Sequence, residues 1–206
     1  MPGTFITFEG GEGTGKSTQV ARLAAQLQSI GRTVTLTREP GGTPAAEDLR
    51  RLLVSGDVGL WSPTAEALLN YAARDAHLKQ LIRPSLAKGH VVLCDRFMDS
   101  TRAYQGYAGG CSMSLIDALE AEVVGSTKPD LTLIFDLDPE AGLDRARQRG
   151  EGEDRYERKG IAFHRRLRDG FLDIMRRNPA RCRLVDAAGS VEDVAESVWS
   201  IVSERI

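Results

Sequence analysis

The sequence predicts an α/β fold in three layers, with a five-stranded parallel sheet flanked by helices. Short apolar segments that suit buried strands alternate with longer segments of helical period along the whole chain. The 206 residues are enough for one domain with a sizeable core. With 41% hydrophobic and 27% charged residues, the composition is that of an ordinary folded protein and excludes a disordered chain.

The strand predictions rest on short runs of apolar residues between helical segments. Buried strands that alternate with helices are typical of a parallel sheet covered on both faces. In chain order, the predicted strands are Thr4–Phe8, Thr33–Thr37, Val91–Cys94, Leu131–Asp136 and Arg183–Asp186.

The helix predictions rest on apolar residues repeated every three or four positions. In Ser17–Ile30 the apolar residues keep this period, and Gly31 follows as a stop signal. The other predicted helices are Pro44–Leu53, Pro63–Leu86 with an interruption at Pro84, Ser112–Val124, Pro139–Gln148, Phe163–Arg177 and a last one from Ser190. A charged, glycine-broken segment, Arg149–Lys159, separates two of them, and we expect a short lid over about 145–159 of a single domain, 1–206.

Net charge, apolar runs and cysteines indicate which binding partners to exclude and in which cellular compartment the protein is expected. The net charge is −2, whereas nucleic-acid coats and membrane-surface proteins have a strong basic excess. The longest apolar runs are far shorter than the roughly 20 residues that span a bilayer, and the first residues lack the pattern of a secretory signal. Cys94, Cys111 and Cys182 are odd in number and widely spaced, which suits reduced thiols. We expect a cytoplasmic protein with no nucleic-acid or membrane partner.

The strongest motif lies between the first predicted strand and the first predicted helix. The run Gly10-Gly11-Glu12-Gly13-Thr14-Gly15-Lys16-Ser17 fits G-x-x-x-x-G-K-[ST], and Thr18 follows it. Its glycines allow a tight turn that presents N–H groups to phosphate oxygens, and the helix adds its positive N-terminal end. Lys16 can reach the β- and γ-phosphates of ATP, and the Ser17 hydroxyl can bind Mg²⁺. This motif predicts a P-loop NTPase fold with an ATP site at residues 10–18.

Two other predicted strands end in charged residues. Asp95 and Arg96 follow Val91–Cys94, and Arg38 follows the second strand. Because the carboxyl ends of parallel strands face the ligand crevice, we expect Asp95 to hold Mg²⁺, directly or through water, and the two arginines to meet phosphate. Arg74 lies on a polar turn of an otherwise apolar helix, and taken alone it is more typical of a solvated surface.

Two short patterns in the sequence are also found in GTPases. Thr127–Asp130 matches the guanine-reading pattern [NT]-K-x-D, and Asp186–Gly189 matches the switch pattern D-x-x-G. In GTPases the switch pattern comes first and the guanine pattern follows a strand. Here the order is reversed and Thr127–Asp130 precedes a strand, so both matches are interpreted as coincidental.

Together, five motifs identify a family. The chain resembles bacterial thymidylate kinases over nearly its whole length, with the motifs in order. They are F-E-G-x-E-G-x-G-K-S-T at 8–18, T-R-E-P-G-G-T at 37–43, Y-A-A-R at 71–74, D-R-F at 95–97 and S-T-x-A-Y-Q-G at 100–106. The resemblance implies transfer of the γ-phosphoryl group of ATP to dTMP, giving dTDP and ADP, as a step of dTTP synthesis. It also implies Mg²⁺ and a homodimer.

The resemblance assigns further site residues. Arg38, Arg74 and Arg96 would contact the dTMP phosphate, and Glu9 would approach the sugar 3′-hydroxyl or the metal. Ser100, Thr101 and Gln105 would lie around the thymine, with Tyr104 under the deoxyribose. The implied catalytic residues are Lys16, Arg96, Arg149 and Glu9.

Two positions depart from patterns within this family. In one branch, a basic side chain at position 13 helps catalysis, whereas this chain has Gly13. The cation is then expected from the lid segment, as in the branch of enteric bacterial enzymes. Arg145 and Arg149 are four residues apart and share a helix face, so both can point at the ATP phosphates. Arg149 is the preferred candidate for the catalytic arginine, and Arg145 and Arg155 are the alternatives.

The second departure is Asn70, four residues before Arg74, where the family usually has a phenylalanine that stacks on thymine. We therefore expect some turnover of dUMP, since the 5-methyl group alone supplies about 1–3 kcal/mol of discrimination.

Two other functions are also compatible with the sequence. One is a P-loop kinase of another phosphorylated small acceptor, and the other is a nucleotide-binding module without catalysis. The intact Lys16, Ser17 and lid arginines argue against the module.

Overall fold

A five-stranded parallel sheet forms the centre of the molecule, as the sequence predicts. The computed structural model describes residues 3–149 and 155–206. The strands are β1 (Thr4–Gly10), β2 (Val34–Arg38), β3 (Val91–Asp95), β4 (Leu131–Asp136) and β5 (Cys182–Asp186). Their order across the sheet is β2-β3-β1-β4-β5. The chain therefore reverses its direction of winding next to β1, where open α/β sheets place their ligand crevice.

Helices cover both faces of the sheet. They are α1 (Lys16–Ser29), α2 (Pro44–Val54), α3 (Pro63–His77), α4 (Arg83–Ala87), α5 (Met98–Thr101), α6 (Met113–Val123), α7 (Pro139–Arg149), α8 (Ile161–Arg177) and α9 (Val191–Ser203). No helix in the described part of the chain combines the length and apolarity needed to cross a membrane.

The predicted interruption at Pro84 takes the form of a wider helical turn. Between α3 and α4, residues Leu78–Ile82 form a π-helical turn, and the Arg83 N–H donates to the Leu78 carbonyl. Pro84 then lies in the first turn of α4. A proline is tolerated in the first turn of a helix, because an N–H there needs no helical acceptor. The wider turn before it also keeps the proline ring away from the carbonyl four residues earlier.

One helical region was missing from the sequence prediction. The short helix α5 continues into a second π-helical segment, Arg102–Ala108. Most of its side chains are buried although several are polar, among them Thr101, Tyr104 and Gln105. Apolar periodicity cannot detect such a segment, because its buried positions carry hydroxyl and amide groups.

The strand register brings the predicted charged residues to one edge. Phe8 of β1 and Arg38 of β2 both pair with Asp95 of β3, and Gly10 pairs with Phe135 of β4. The carboxyl ends of these strands, and the loops that follow them, therefore meet at the same edge of the sheet.

The core lies on both faces of β1. Ile6 and Phe8 pack with Leu27 of α1 and Val198 of α9 on one face. On the other face, Phe5 packs with residues of α3 and α6. Burial of both faces explains the nearly continuous apolar strands of the sequence.

Candidate active site

The phosphate-binding loop joins the end of β1 to α1, as the motif predicts. Gly13 has φ +66°, and a Cβ there would lie 1.9 Å from the carbonyl oxygen of Gly142 in α7. Gly10 likewise approaches the Phe135 carbonyl, with a Cβ distance of 2.4 Å. Position 13 thus excludes a side chain in this backbone arrangement, which accounts for the absence of a basic residue there.

Lys16 and Glu12 form the charged part of this loop. The Lys16 ammonium donates to the Gly11 carbonyl at 2.6 Å and to the Thr14 hydroxyl at 3.0 Å. Burial lowers the pKa of Lys16 to about 8, and Arg96 contributes to this. Burial alone would raise the pKa of Glu12, but Arg96 and Lys16 outweigh it and hold this pKa at about 2.

Two oxygen donors face each other beside the loop. The Ser17 hydroxyl donates to Oδ2 of Asp95 at 2.6 Å, across 78 positions of the chain. A hydroxyl and a carboxylate are hard oxygen ligands of the kind that Mg²⁺ prefers. Thr18, in the first turn of α1, is exposed.

Arg96 connects the phosphate-binding loop with the segment after β3. It has φ +69°, a left-handed conformation that is uncommon outside glycine. Its guanidinium donates to the Gly10 carbonyl at 2.8 Å and to Glu12 at 3.1 Å, and it lies over the Tyr104 ring. Tyr104 donates its hydroxyl to the same Glu12 carboxylate at 2.5 Å. The backbone strain and these contacts hold the guanidinium at the edge of the sheet.

Glu9 is a buried carboxyl group behind Arg96. It accepts hydrogen bonds from the Phe97 N–H at 2.8 Å and from the Ser100 hydroxyl at 2.5 Å. Burial, with a further contribution from Asp99, raises the pKa of Glu9 to about 7. This carboxyl group therefore changes its charge near neutral pH.

Two adjoining clefts open at this edge. The phosphate cleft is lined by Glu12, Gly13, Thr14, Gly15, Lys16, Ser17, Arg38, Glu39, Arg50, Asp95, Arg96 and Glu157. The acceptor cleft has about 670 Å³ of empty space, part of it open to solvent. Its lining is Glu12, Glu39, Pro40, Arg50, Val54, Asn70, Arg74, Arg96, Phe97, Ser100, Thr101, Tyr104, Gln105, Tyr156 and Glu157. Residues common to both clefts, such as Arg96, stand at the junction where two ligands would meet.

Arg74 is buried and held by hydrogen bonds, whereas its sequence neighbourhood alone suggests a solvated surface residue. Its side chain is 2% exposed, its Nε donates to Glu39 at 2.7 Å and its Nη2 donates to the Thr101 hydroxyl at 3.0 Å. Among the described residues, its buried Nη1 has no hydrogen-bond partner. An unpaired cationic donor on the wall of a cleft is suited to an anionic ligand.

Glu39 is the first functional residue that sequence reasoning missed. One carboxylate oxygen accepts from Arg74, and the other accepts from Nδ1 of His77 at 2.9 Å. The Thr37 hydroxyl meets His77 Nε2 at 2.7 Å. Glu39 stands in the T-R-E-P-G-G-T motif, so its presence was visible, but its partner Arg74 lies 35 positions away and only the fold reveals the pair.

The predicted base-side residues line the acceptor cleft together. Asn70 donates its side-chain amide to the Glu66 carbonyl at 2.8 Å, and Ser100 and Thr101 lie on α5. Gln105 donates to the Glu66 carboxylate at 2.8 Å. Glu66 is a second functional residue that the sequence analysis missed. A glutamate on a helix is usually exposed, and nothing in the sequence of α3 indicates that this one is buried.

The other arginines predicted to bind phosphate are Arg38, Arg145 and Arg149. Arg38 lines the phosphate cleft, with its side chain half exposed and 3.3 Å from Glu47. Arg145 donates at 3.0 Å to the carbonyl of Ala187, in the loop after β5. It does not line the phosphate cleft of this structure, so the expectation that it points at the phosphate chain has no support there. The side chain of Arg149 and the lid residues 150–154 lie outside the described residues.

Arg155 corrects one of the sequence expectations. It was a candidate for the catalytic lid arginine, yet it is fully buried and pairs with Glu66 at 2.7 Å. It also donates to the backbone carbonyls of Leu53, Asp57 and Val58. A guanidinium with this many internal partners holds the chain to the loop between α2 and α3 and is not available to a phosphate.

The match to the guanine-reading pattern, Thr127–Asp130, has a structural role. Asp130 accepts a hydrogen bond from the Phe5 N–H at 2.8 Å, at the start of β1 and β4 and so at the opposite edge of the sheet from the phosphate-binding loop. Thr127 accepts from Arg83. Neither contact faces the clefts.

Comparisons with known proteins agree on one family. A family model described as thymidylate kinase matches residues 8–198. The thymidylate kinase of Caulobacter vibrioides is 56% identical over 204 residues, covering 99% of this chain and 98% of the relative. That of Bradyrhizobium sp. (strain BTAi1) is 51% identical over 206 residues, covering 99% and 91%. The crystal structure of thymidylate kinase from Ehrlichia chaffeensis has a TM-score of 0.80 at 37% identity, covering 98% of this chain and 99% of that one.

Proposed function

This chain belongs to the thymidylate kinase family and phosphorylates dTMP with ATP, and we propose that the transfer takes place where its phosphate and acceptor clefts join. The observation that supports this place is the geometry of Arg96 and Glu12, which line both clefts. The γ-phosphoryl group of ATP and the phosphate of dTMP must meet in line, and the acceptor phosphate is already anionic at neutral pH. The chemistry therefore needs positioned cations more than a general base.

On the donor side, residues 10–18 would bind ATP. The backbone N–H groups of the loop and Lys16 would surround the β- and γ-phosphates. We assign Mg²⁺ to Ser17 and Asp95, whose oxygens already face each other at 2.6 Å. When bound, the metal would neutralise charge on the β- and γ-oxygens. Burial lowers the pKa of Lys16 to about 8, and the negative charge of a bound phosphate would raise it and favour the charged ammonium.

On the acceptor side, three arginines would hold the dTMP phosphate. Arg74 lines the acceptor cleft and has a buried Nη1 without a partner among the described residues, Arg96 is at the junction, and Arg38 lies on the donor side of the same edge. Guanidinium forks match phosphate oxygens and suppress the repulsion between the two bound nucleotides. Glu9 would approach the sugar or the metal from behind Arg96, with Ser100 as its hydrogen-bond partner.

The base would lie deeper in the acceptor cleft. We assign its surroundings to Asn70, Ser100, Thr101 and Gln105, with Tyr104 beneath the sugar, since all five line this cleft. Asn70 has its amide nitrogen bound to the Glu66 carbonyl, so it would offer the base an amide oxygen in place of an aromatic face.

The remaining features concern the whole chain. We propose a single domain over 1–206 with a lid near 145–159, in which Arg149 stabilises the transferring phosphoryl group. A homodimer is supported by exposed leucines on α2, on α3 and in the loop between them, namely Leu52, Leu60 and Leu68. A cytoplasmic location is supported by the three free, buried cysteines.

The test is an acceptor panel with a P-loop variant. ADP release is measured with Mg-ATP and each of dTMP, dUMP, dCMP, dGMP, UMP and AMP. We expect a strong preference for dTMP, weaker use of dUMP and little use of UMP. Lys16→Ala should lower kcat with dTMP by roughly 10²-fold or more, because it removes the phosphate cation. Lys79→Ala, which removes a lysine from an exposed pair with Asp75, is the control. Near-normal turnover by Lys16→Ala would overturn the assignment of this loop.

A further inference from the structure

The side chain of Gln105 is held in one orientation by a buried carboxylate. Its Nε2 donates to Oε2 of Glu66 at 2.8 Å and lies 3.3 Å from the Tyr156 hydroxyl. Gln105 is 2% exposed and Glu66 is 1% exposed. A carboxylate accepts hydrogen bonds and donates none when it is ionised, so the amide nitrogen must face it. Both hydrogen bonds use that nitrogen, and the amide oxygen is the atom that remains for a bound base.

Two cationic side chains flank the other oxygen of Glu66. Its Oε1 accepts from Arg155 at 2.7 Å and lies 3.3 Å from the Lys159 ammonium. Arg155 is itself held by backbone carbonyls of the loop after α2. A buried carboxylate with two cationic partners and a third hydrogen-bond donor is held firmly in position.

We infer that Glu66 is a positioning residue which, by orienting the amide of Gln105, makes the acceptor cleft select bases that carry an N3–H group. This inference rests on the proposed place of the base beside Gln105. Thymine and uracil donate from N3, which suits an amide oxygen. Cytosine has a lone pair at N3, so it would require the amide nitrogen to face it.

The discrimination arises from what reorientation of Gln105 would cost. A flipped amide would turn its oxygen toward the Glu66 carboxylate, placing two acceptors against each other in a buried site. The hydrogen bond to the carboxylate would also be lost, and buried groups left without partners carry a substantial penalty. Glu66 therefore opposes the amide flip by which Gln105 could accommodate cytosine.

The test is the isosteric variant Glu66→Gln, assayed for kcat/KM with dTMP, dUMP and dCMP at saturating Mg-ATP. A glutamine at position 66 can donate to a flipped Gln105, so we expect the ratio of dTMP to dCMP to fall at least ten-fold. The ratio of dTMP to dUMP should stay within two-fold of the unmodified enzyme, because both bases carry N3–H. Asp75→Asn, which changes an exposed acid on the same helix, is the matched control and should leave both ratios unchanged.

A purely structural role predicts a different pattern. If all three acceptors lose the same factor, or if the dTMP to dUMP ratio falls together with the dTMP to dCMP ratio, the inference is overturned. Absence of dTMP turnover in the unmodified enzyme would instead overturn the proposed function. Unchanged selectivity of an active Glu66→Gln variant overturns only the role of Glu66.

Two further variants keep the test decisive. Removing one partner of a buried ion pair can prevent folding, whereas replacing both is tolerated better. The double variant Glu66→Gln/Arg155→Met therefore repeats the measurement without a buried unpaired guanidinium, and we expect the same loss of selectivity. Arg155→Met alone leaves Glu66 with Lys159 and with Gln105, so we expect it to keep the original dTMP to dCMP ratio. A ten-fold fall with this single variant would overturn the inference.

Discussion

Buried carboxyl groups set the charge of this site residue by residue. Glu12 and Glu9 are near neighbours in the sequence, yet their pKa values move in opposite directions. Glu12 is partly buried and paired with Arg96 and Tyr104, and its pKa is held at about 2. Glu9 has neutral hydrogen-bond donors and the like charge of Asp99 nearby, and its pKa rises to about 7. Burial penalises both carboxylates, and the presence of a contacting cation decides the outcome.

This difference predicts the pH dependence of stability for Glu9→Gln. The pKa of Glu9 is about 7 in the folded chain, against an ordinary value of 4.5 for a glutamate side chain. Between these values the folded protein binds a proton that the unfolded chain releases, so the contribution of Glu9 to stability is lost as the pH rises through 7. Relative to Glu9→Gln, the free energy of unfolding of the unmodified protein should fall by about 1 kcal/mol per pH unit or less between pH 5 and 7.

Urea unfolding at a series of pH values measures this difference. Glu196→Gln, an exposed acid on α9, should give a curve parallel to that of the unmodified protein. If Glu9→Gln also ran parallel from pH 5 to 8, the raised pKa of Glu9 would be wrong.

A second prediction at this scale concerns Asn70→Phe. Asn70 stands on the wall of the acceptor cleft, at the position where the family resemblance implies a stacking phenylalanine. An aromatic ring stacked on a base contributes about 1–3 kcal/mol, so KM for dTMP should fall by roughly ten-fold. KM for ATP is the internal control and should not change. Unchanged dTMP affinity would mean that another side chain already fills the stacking position.

At the scale of elements, the sequence predicted the five strands and most helices well. Their apolar periods reflect burial of one or both faces, which is a local property of each segment. Met98–Ala108 escaped because its buried side chains include Ser100, Thr101 and Gln105. These residues were nevertheless assigned to the site through the S-T-x-A-Y-Q-G motif.

Contacts between distant elements were the part that the sequence could not predict. The Arg155–Glu66 hydrogen bond spans 89 positions, and the Arg74–Glu39 pair spans 35. Each partner looks like a surface charge in its own segment, and only packing of α3 against the surrounding loops buries it. For this reason the sequence left Arg155 as an alternative to Arg149 for the catalytic arginine, whereas the structure pairs it with Glu66.

Helix α7 carries the element-scale prediction, Arg149→Ala. The close approach of Gly142 in this helix to Gly13 excludes a cation at position 13, so a catalytic cation must come from elsewhere. Loss of Arg149 should lower kcat by roughly 10³-fold, as for arginines that stabilise transferring phosphoryl groups, with little effect on KM for dTMP. Arg147→Ala on the same helix, which removes an exposed partner of Asp144, is the control. A change confined to KM would make Arg149 a binding residue.

At the scale of the whole molecule, the proposed homodimer can be tested at the exposed leucines of α2, of α3 and of the loop between them. Leu52 of α2, Leu60 of the following loop and Leu68 of α3 are each about half exposed, at 48%, 56% and 48%. The same two helices carry residues of the acceptor cleft, Val54 and Asn70. A dimer formed through this face would bury the leucines and support the helices that bear the cleft.

Leu68→Glu tests this face. A charge placed at the centre of an apolar contact must be desolvated, so we expect the variant to dissociate to a single chain of 22.5 kDa, while the unmodified protein sediments at twice that mass. Ile30→Glu, an equally exposed apolar position at the end of α1, should leave the mass unchanged. Because the cleft shares α3 with this face, dissociation should also raise KM for dTMP more than KM for ATP. A Leu68→Glu variant that remains dimeric would place the contact between copies on another face, and the exposed leucines of α2 and α3 would then need a different explanation.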